Sequence, residues 1–438
     1  MHIPDGYLGP ETLAAGWAVT VPVWYVASKR TKKLLSQPKM VPVLAASAAF
    51  CFLIMMLNVP VLGGTTAHAV GAVLIAVIAG PWVAVLAVTA ALVIQALFFG
   101  DGGLLSLGIN CLNMAIVMPL VGYAMYRFLS GASDLRSSRR LVAAGLAAYC
   151  GLVAAAFLNS IELGIQPLLH TVNGVAQYAP YGLRTTIPAM VGSHALIVGP
   201  VEAVFTVAVF AYLRQVSPEL FRPGDLQRVR ARWLVALIAA LTALVPVGLI
   251  ASGSAWGEWG AEEIKQRLGY VPHGLGRLGD LWKGLLPDYG WSGASGAWTA
   301  VAYVGSAILG VALLSAIAWA VVAARRRRRL AAPPDRPGHP QPREVVGAAK
   351  APALQHPSPR IPSWLTVTCR AESCAKSGGR RLGCLVVSFR PASSRERAEE
   401  VTVYGTSAAI DDAFSRLWLS LQAGPQGLGA SHGHASKD

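Results

Sequence analysis

The chain has 438 residues, of which 54% are hydrophobic and 13% charged, with a mean hydropathy of +0.49. Soluble domains carry roughly 25% charged residues, so the composition excludes an ordinary soluble protein. The net charge of +15 does not point to nucleic acid, because Lys and Arg stand in short clusters between apolar runs, the pattern of membrane topology.

The first ten residues, "MHIPDGYLGP", lack the cationic start and apolar run of a secretory signal. They read either as an irregular lead-in to the first helix or as part of a site. Apolar helices are predicted over 12–28, 40–58, 67–79, 82–99, 105–127, 139–161, 188–213, 233–252 and 299–324. One continuous helix over 67–99 would reach roughly 50 Å, too long for one crossing of a hydrocarbon core about 30 Å thick. Gly80-Pro81 therefore predicts two helices and a tight turn, since proline cannot continue the first. With the N-terminus outside, Lys29 to Lys39, Arg127 to Arg140, Arg214 to Arg232 and the run Arg325 to Arg329 all fall on the inner side. That bias supports nine crossings, an extracytoplasmic N-terminus and a cytoplasmic C-terminus in a prokaryotic cell membrane.

The predicted architecture is an all-α multi-pass membrane protein. Residues 1–220 form a seven-helix bundle, and 233–324 add two transmembrane helices around an outer loop. A Pro/Ala-rich linker occupies 331–362. Residues 363–421 read as a small cytoplasmic α/β-like module, with strands at "WLTVTC", "CLVVSF" and "EVTVYG" and an amphipathic helix at "AAIDDAFSRLWLSLQ". A flexible tail follows over 422–438. The six cysteines show no paired spacing that would imply a disulfide framework.

The first residues have a chemistry of their own. The terminal amine of Met1, the backbone nitrogen of His2 and its Nδ1 can lie in one plane around a metal, closing two fused chelate rings. Deprotonating a backbone amide requires a metal such as Ni²⁺, Cu²⁺ or Co²⁺ rather than Mg²⁺ or Ca²⁺, and binding competes with protons. A bulky second residue disfavours removal of the initiator, so Met1 is expected to be the mature end. His68 lies on the same outer face and could complete the square. Against this stand a solvated His2 at a water-exposed end and a His68 that caps a helix. His194 and Glu202 sit within a predicted membrane helix, where ionisable groups are functional candidates or partners for neighbouring helices. Asn110 and Asn113, three apart on one helical face, could orient a ligand or join helices. Ala45 and Ala49, at helical spacing, could form a close-packing face for another membrane protein.

"MHIPDGYL", the block from "GGTTAHAVGAVLIAVIAG" to "GDGGLLSLGINCLNMAIVMPLVGY", and "GSHALIVGPVEAVFTVAVFAYLRQVSPEL" resemble the CbiM/NikM family over residues 1–220. These are substrate-capture (S) components of energy-coupling-factor (ECF) transporters for cobalt and nickel. The resemblance implies square-planar Co²⁺ or Ni²⁺ binding by the terminal amine, the residue-2 amide and two imidazoles, hence Met1, His2 and His68. Residues 233–324 resemble the fused N-type, or PDGL, component, with "PDYG" in place of its motif. The resemblance further implies a membrane coupling (T) protein and two ATPase (A) subunits as partners. No GxxxxGK[ST] phosphate loop occurs, so ATP hydrolysis would come from those partners, and neither enzymatic activity nor a resident cofactor is expected. The rival reading is a self-sufficient proton-driven metal carrier using Glu202 and His194 as a relay. Inverted repeats would support it, and none is convincing.

Overall fold

The computed structural model describes residues 1–35, 40–61, 65–221, 231–251, 253–291, 293, 295–331, 365–373, 383–391 and 399–405. The chain divides into two units, Met1–His339 and Pro340–Asp438. The first begins with α1 (Pro10–Arg30), α2 (Lys32–Leu35) and α3 (Val41–Met55). A hairpin of β1 (Asn58–Val61) and β2 (Thr65–His68) follows, then α4 (Ala72–Ala79) and α5 (Pro81–Ile94). Next come α6 (Leu107–Asn110), α7 (Met118–Ser130), α8 (Ser138–Gly164) and α9 (Gln166–Leu169). The short strands β3 (Thr171–Val172) and β4 (Val175–Ala176) precede α10 (Leu183–Ser193) and α11 (Gly199–Val216). Beyond these lie α12 (Ala231–Leu244), α13 (Ala261–Leu268), α14 (His273–Leu278) and α15 (Ala297–Ala331).

Among the described residues, six helical segments are long and apolar enough to cross a membrane: 81–99, 107–130, 138–169, 183–216, 231–250 and 297–324. This is a multi-pass, mainly helical membrane protein. The turn expected at Gly80-Pro81 is present: α4 ends at Ala79, Gly80 takes φ +95° and Pro81 opens α5, where its missing N–H costs nothing. The helix expected over 67–79 is corrected, because its first residues pair as β2, with Asn58 opposite His68 and Val61 opposite Thr65. Helix begins only at Ala72, and its eight residues rise about 12 Å. Three segments widen into π-type turns, Gln95–Phe99, Cys111–Val117 and His194–Val198, a distortion often found beside functional sites.

Close approach explains the alanine-rich face of α8. Ala143, Ala144, Ala147, Ala148, Ala155 and Ala156 are buried, and α8 packs on α7, α10 and α11. Small residues allow such contact where apolar lipid supplies no hydrophobic drive. Helix α3 packs against α5, α12 and α15, so the last two helices cover it. The second unit contains a three-stranded antiparallel sheet of β5 (Leu365–Ser373), β6 (Gly383–Pro391) and β7 (Glu399–Gly405), with β6 central. The expected helix at 408–422, the linker beyond Ala331 and the tail lie outside the described residues.

Candidate metal centre

The N-terminus is inside the protein. Met1, His2, Ile3, Asp5, Tyr7 and Leu8 are all buried. Asp5 anchors them: its carboxylate accepts N–H groups from Leu104 at 3.0 Å, Leu105 at 2.9 Å and Ser106 at 3.0 Å. All three N–H groups belong to the turn immediately ahead of α6, so one carboxylate satisfies the backbone donors of that turn. Asn110 grips Ile3 on both sides, accepting its N–H at 2.8 Å and donating to its carbonyl at 3.1 Å. Gly6 turns the chain at φ +90°, and a side chain there would strike the backbone at Gly274 and Leu275. The "PDG" turn thus inserts the terminus while the loop between α12 and α13 closes over it, with the Tyr7 hydroxyl donating to the Trp259 carbonyl at 2.8 Å.

This insertion brings His2 to His68. His2 Nδ1 lies 3.2 Å from His68 Nε2 and 3.1 Å from an Asp101 oxygen. His68 Nδ1 faces the Ala69 carbonyl at 3.0 Å; donating there leaves Nε2 with its lone pair. Burial, followed by the nearby terminal ammonium, pushes His2 down to about 3. Burial, the ammonium and His2 likewise hold His68 well below the ordinary histidine range. Both rings are neutral at physiological pH, the form in which imidazole binds metals.

The remaining nitrogens face Glu258. The Met1 amine lies 3.3 Å from its carboxylate, the His2 N–H is directed at the same group, and burial pushes Glu258 up to about 7. The Met1 carbonyl accepts from Asn159 Nδ2 at 3.1 Å. No group of three or more His, Cys, Asp or Glu side chains among the described residues could hold a metal ion. Main-chain and terminal nitrogens lie beside the two histidines as further donors. Two donors at right angles, each about 2.0 Å from one metal, stand about 2.8 Å apart, and the His2–His68 separation of 3.2 Å lies close to that.

The other predicted residues separate. Asn113 is buried like Asn110 but donates to Glu162 at 2.6 Å, because the π-type turn from Cys111 breaks their shared face. Glu202 accepts the N–H of Val70 at 2.7 Å and of Gly71 at 2.9 Å, pinning the turn after His68. His194 Nδ1 lies 2.7 Å from the Met190 carbonyl, and its buried Nε2 has no partner. Glu202 and His194 share no hydrogen bond. Ala45 is half-buried, whereas Ala49 is 1% exposed, on a helix that packs against α5, α12 and α15.

Sequence reasoning missed Asp5, Asp101, Asn159, Glu162, Glu258 and Tyr289. Asn159 and Glu162 carried a usable signal, polar residues three apart in an apolar helix. Glu258 carried none, being one acid in a long loop. Tyr289, in "PDYG", donates to Asp101 at 2.6 Å and accepts from Gln95 at 2.9 Å. Tyr289→Phe is expected to cost about 1–3 kcal/mol by orphaning these groups and to weaken metal binding about tenfold by freeing Asp101 beside His2. Thermal melts and metal titration of the purified chain check both, and unchanged metal affinity would remove Tyr289 from the site's support.

The CbiM family, described as the cobalt uptake substrate-specific transmembrane region, matches residues 2–220, and the PDGLE domain matches 230–327. The fused nickel transport protein NikMN of Rhodobacter capsulatus is 46% identical over 334 residues, covering 72% of this chain and 95% of that protein. The probable fused nickel transport protein LarMN of Lactiplantibacillus plantarum is 43% identical over 319 residues, covering 71% and 94%. A crystal structure of a truncated transition metal transporter is 50% identical, with a TM-score of 0.46, over 49% of this chain and 99% of that one. The chain belongs to the CbiM family of cobalt and nickel transport proteins and carries a PDGLE domain fused behind the CbiM region.

Proposed function

We propose that this chain is the substrate-capture component of an ECF-type transporter, taking up Ni²⁺ or Co²⁺ from the extracytoplasmic side. The observation that carries the reading is the buried N-terminus, with His2 Nδ1 3.2 Å from His68 Nε2 and the Met1 amine beside them. Met1 would supply its amine, His2 its backbone nitrogen and Nδ1, and His68 its Nε2. The metal is the cargo. It is bound where two neutral imidazoles wait, and it would replace the protons that the amine and amide now direct at Glu258. A square donor set favours late divalent metals over Mg²⁺ or Ca²⁺. The same donors serve Ni²⁺ and Co²⁺, and the names of the fused relatives above favour nickel.

Energy would come from a membrane coupling protein and two ATPase subunits. The test is reconstitution with those subunits into vesicles. Metal accumulation is expected to require hydrolysable ATP, and the subunits are expected to copurify with the chain in mild detergent. Accumulation by the isolated chain, driven by a proton gradient without ATP, would replace this reading with a secondary carrier.

A further inference from the structure

A second polar cavity lies at the opposite end of α5 from the histidines. Its volume is about 390 Å³, within the roughly 300–1,000 Å³ range of small-molecule sites. The membrane-crossing segment 81–99 runs from Gly80 at the cavity to Asp101 beside His2, so the two sites occupy opposite faces of the membrane. Arg127 and Ser130 in the last turn of α7, Arg140 in the first turn of α8, and Tyr123 and Tyr126 line the cavity, whereas no Asp or Glu among the described residues does. Among the described residues, no carboxylate pairs with either guanidinium. Arg140 is also held in place: its Nε donates to the Ser133 carbonyl at 2.9 Å, and the Tyr126 hydroxyl sits against it.

Two arginines facing one cavity whose described lining holds no carboxylate call for an anion, and the guanidinium fork matches phosphate oxygens. At the end of membrane-crossing helices, a phosphate already available is that of a lipid headgroup, and basic pockets between helices hold such groups. Tyrosines suit the same interfacial depth. We propose that this cavity binds a phosphate group, supplied by an anionic membrane lipid whose headgroup seats between Arg127 and Arg140.

Native mass spectrometry of the full-length chain, delipidated and titrated with phosphatidylglycerol or phosphatidylcholine, tests this. One tightly retained phosphatidylglycerol is expected, with its affinity lowered about tenfold in the Arg127→Gln/Arg140→Gln variant. A Lys29→Gln/Arg136→Gln variant, which removes equal charge at the same membrane face but outside the cavity, should bind like the wild type. Arg140→Lys, which keeps the charge and loses the fork, should lose about threefold, and this reads the contact should the double variant fold poorly. Equal losses in the two double variants, or equal retention of phosphatidylcholine, would overturn the proposal. Displacement of the lipid by millimolar inorganic phosphate would overturn the lipid as the source, while failure to displace it supports the headgroup.

Discussion

Two residues added ahead of Met1 are expected to abolish high-affinity Ni²⁺ or Co²⁺ binding by the purified chain. The extension turns the terminal amine into an amide and moves the chelating nitrogens out of register with His2. It also has no room: Met1 is 3% exposed and its amine lies 3.3 Å from Glu258. Loss of an outer hydrogen-bond partner of a ligand typically lowers affinity 10–100-fold. Loss of donors themselves should exceed that, at least about a hundredfold. Calorimetric titration, with the absorption of square-planar Ni²⁺ as a second readout, decides the matter. His68→Ala tests the fourth donor without touching the terminus, and it should abolish the square-planar spectrum even if weaker binding persists. An extended chain that folds and keeps wild-type affinity would sink the terminal chelate.

Replacing Glu202 by alanine is expected to cost about 3 kcal/mol of stability and to weaken metal binding, although Glu202 touches no proposed donor. Its carboxylate is the acceptor for the N–H groups of Val70 and Gly71, and it is 1% exposed. Removing it leaves two buried donors unpaired, each worth roughly 1–3 kcal/mol. Gly71 opens α4 at φ +74°, so without the carboxylate the turn after His68 loses what holds it. His68 then moves away from His2. Glu202→Gln keeps one accepting oxygen and should show about half the loss. Denaturation in detergent, paired with metal titration, measures both effects. A Glu202→Gln protein with wild-type stability and binding but no transport would instead favour the proton relay.

Much of the protein was legible in one dimension. Apolar length and the scarcity of charge specify membrane crossings because lipid tolerates neither unpaired backbone nor exposed charge. Gly80-Pro81 specifies a turn because proline cannot continue a helix. The first two residues suggest a chelate because amine, amide and imidazole are joined by bonds, so their geometry is local.

Everything that depends on residues distant in sequence was decided by the tertiary structure. Asp5 finds its donors about 100 positions away, Met1 meets Glu258 in the loop between α12 and α13, and Glu202 reaches back 132 positions to Val70. Periodicity also misled locally. Asn110 and Asn113 share a face in an ideal helix, and the widened turn after Cys111 sends them to Ile3 and Glu162. The apolar run 67–79 reads as helix from its first residue, whereas pairing with β1 holds Ala67 and His68 in a strand. The sequence by itself determined a polytopic membrane protein and suggested a chelate at its N-terminus. Only the packed bundle decided that this terminus turns inward, because the hydrogen bonds that hold it there come from segments far apart in the chain, around Ser106, Asn159 and Trp259.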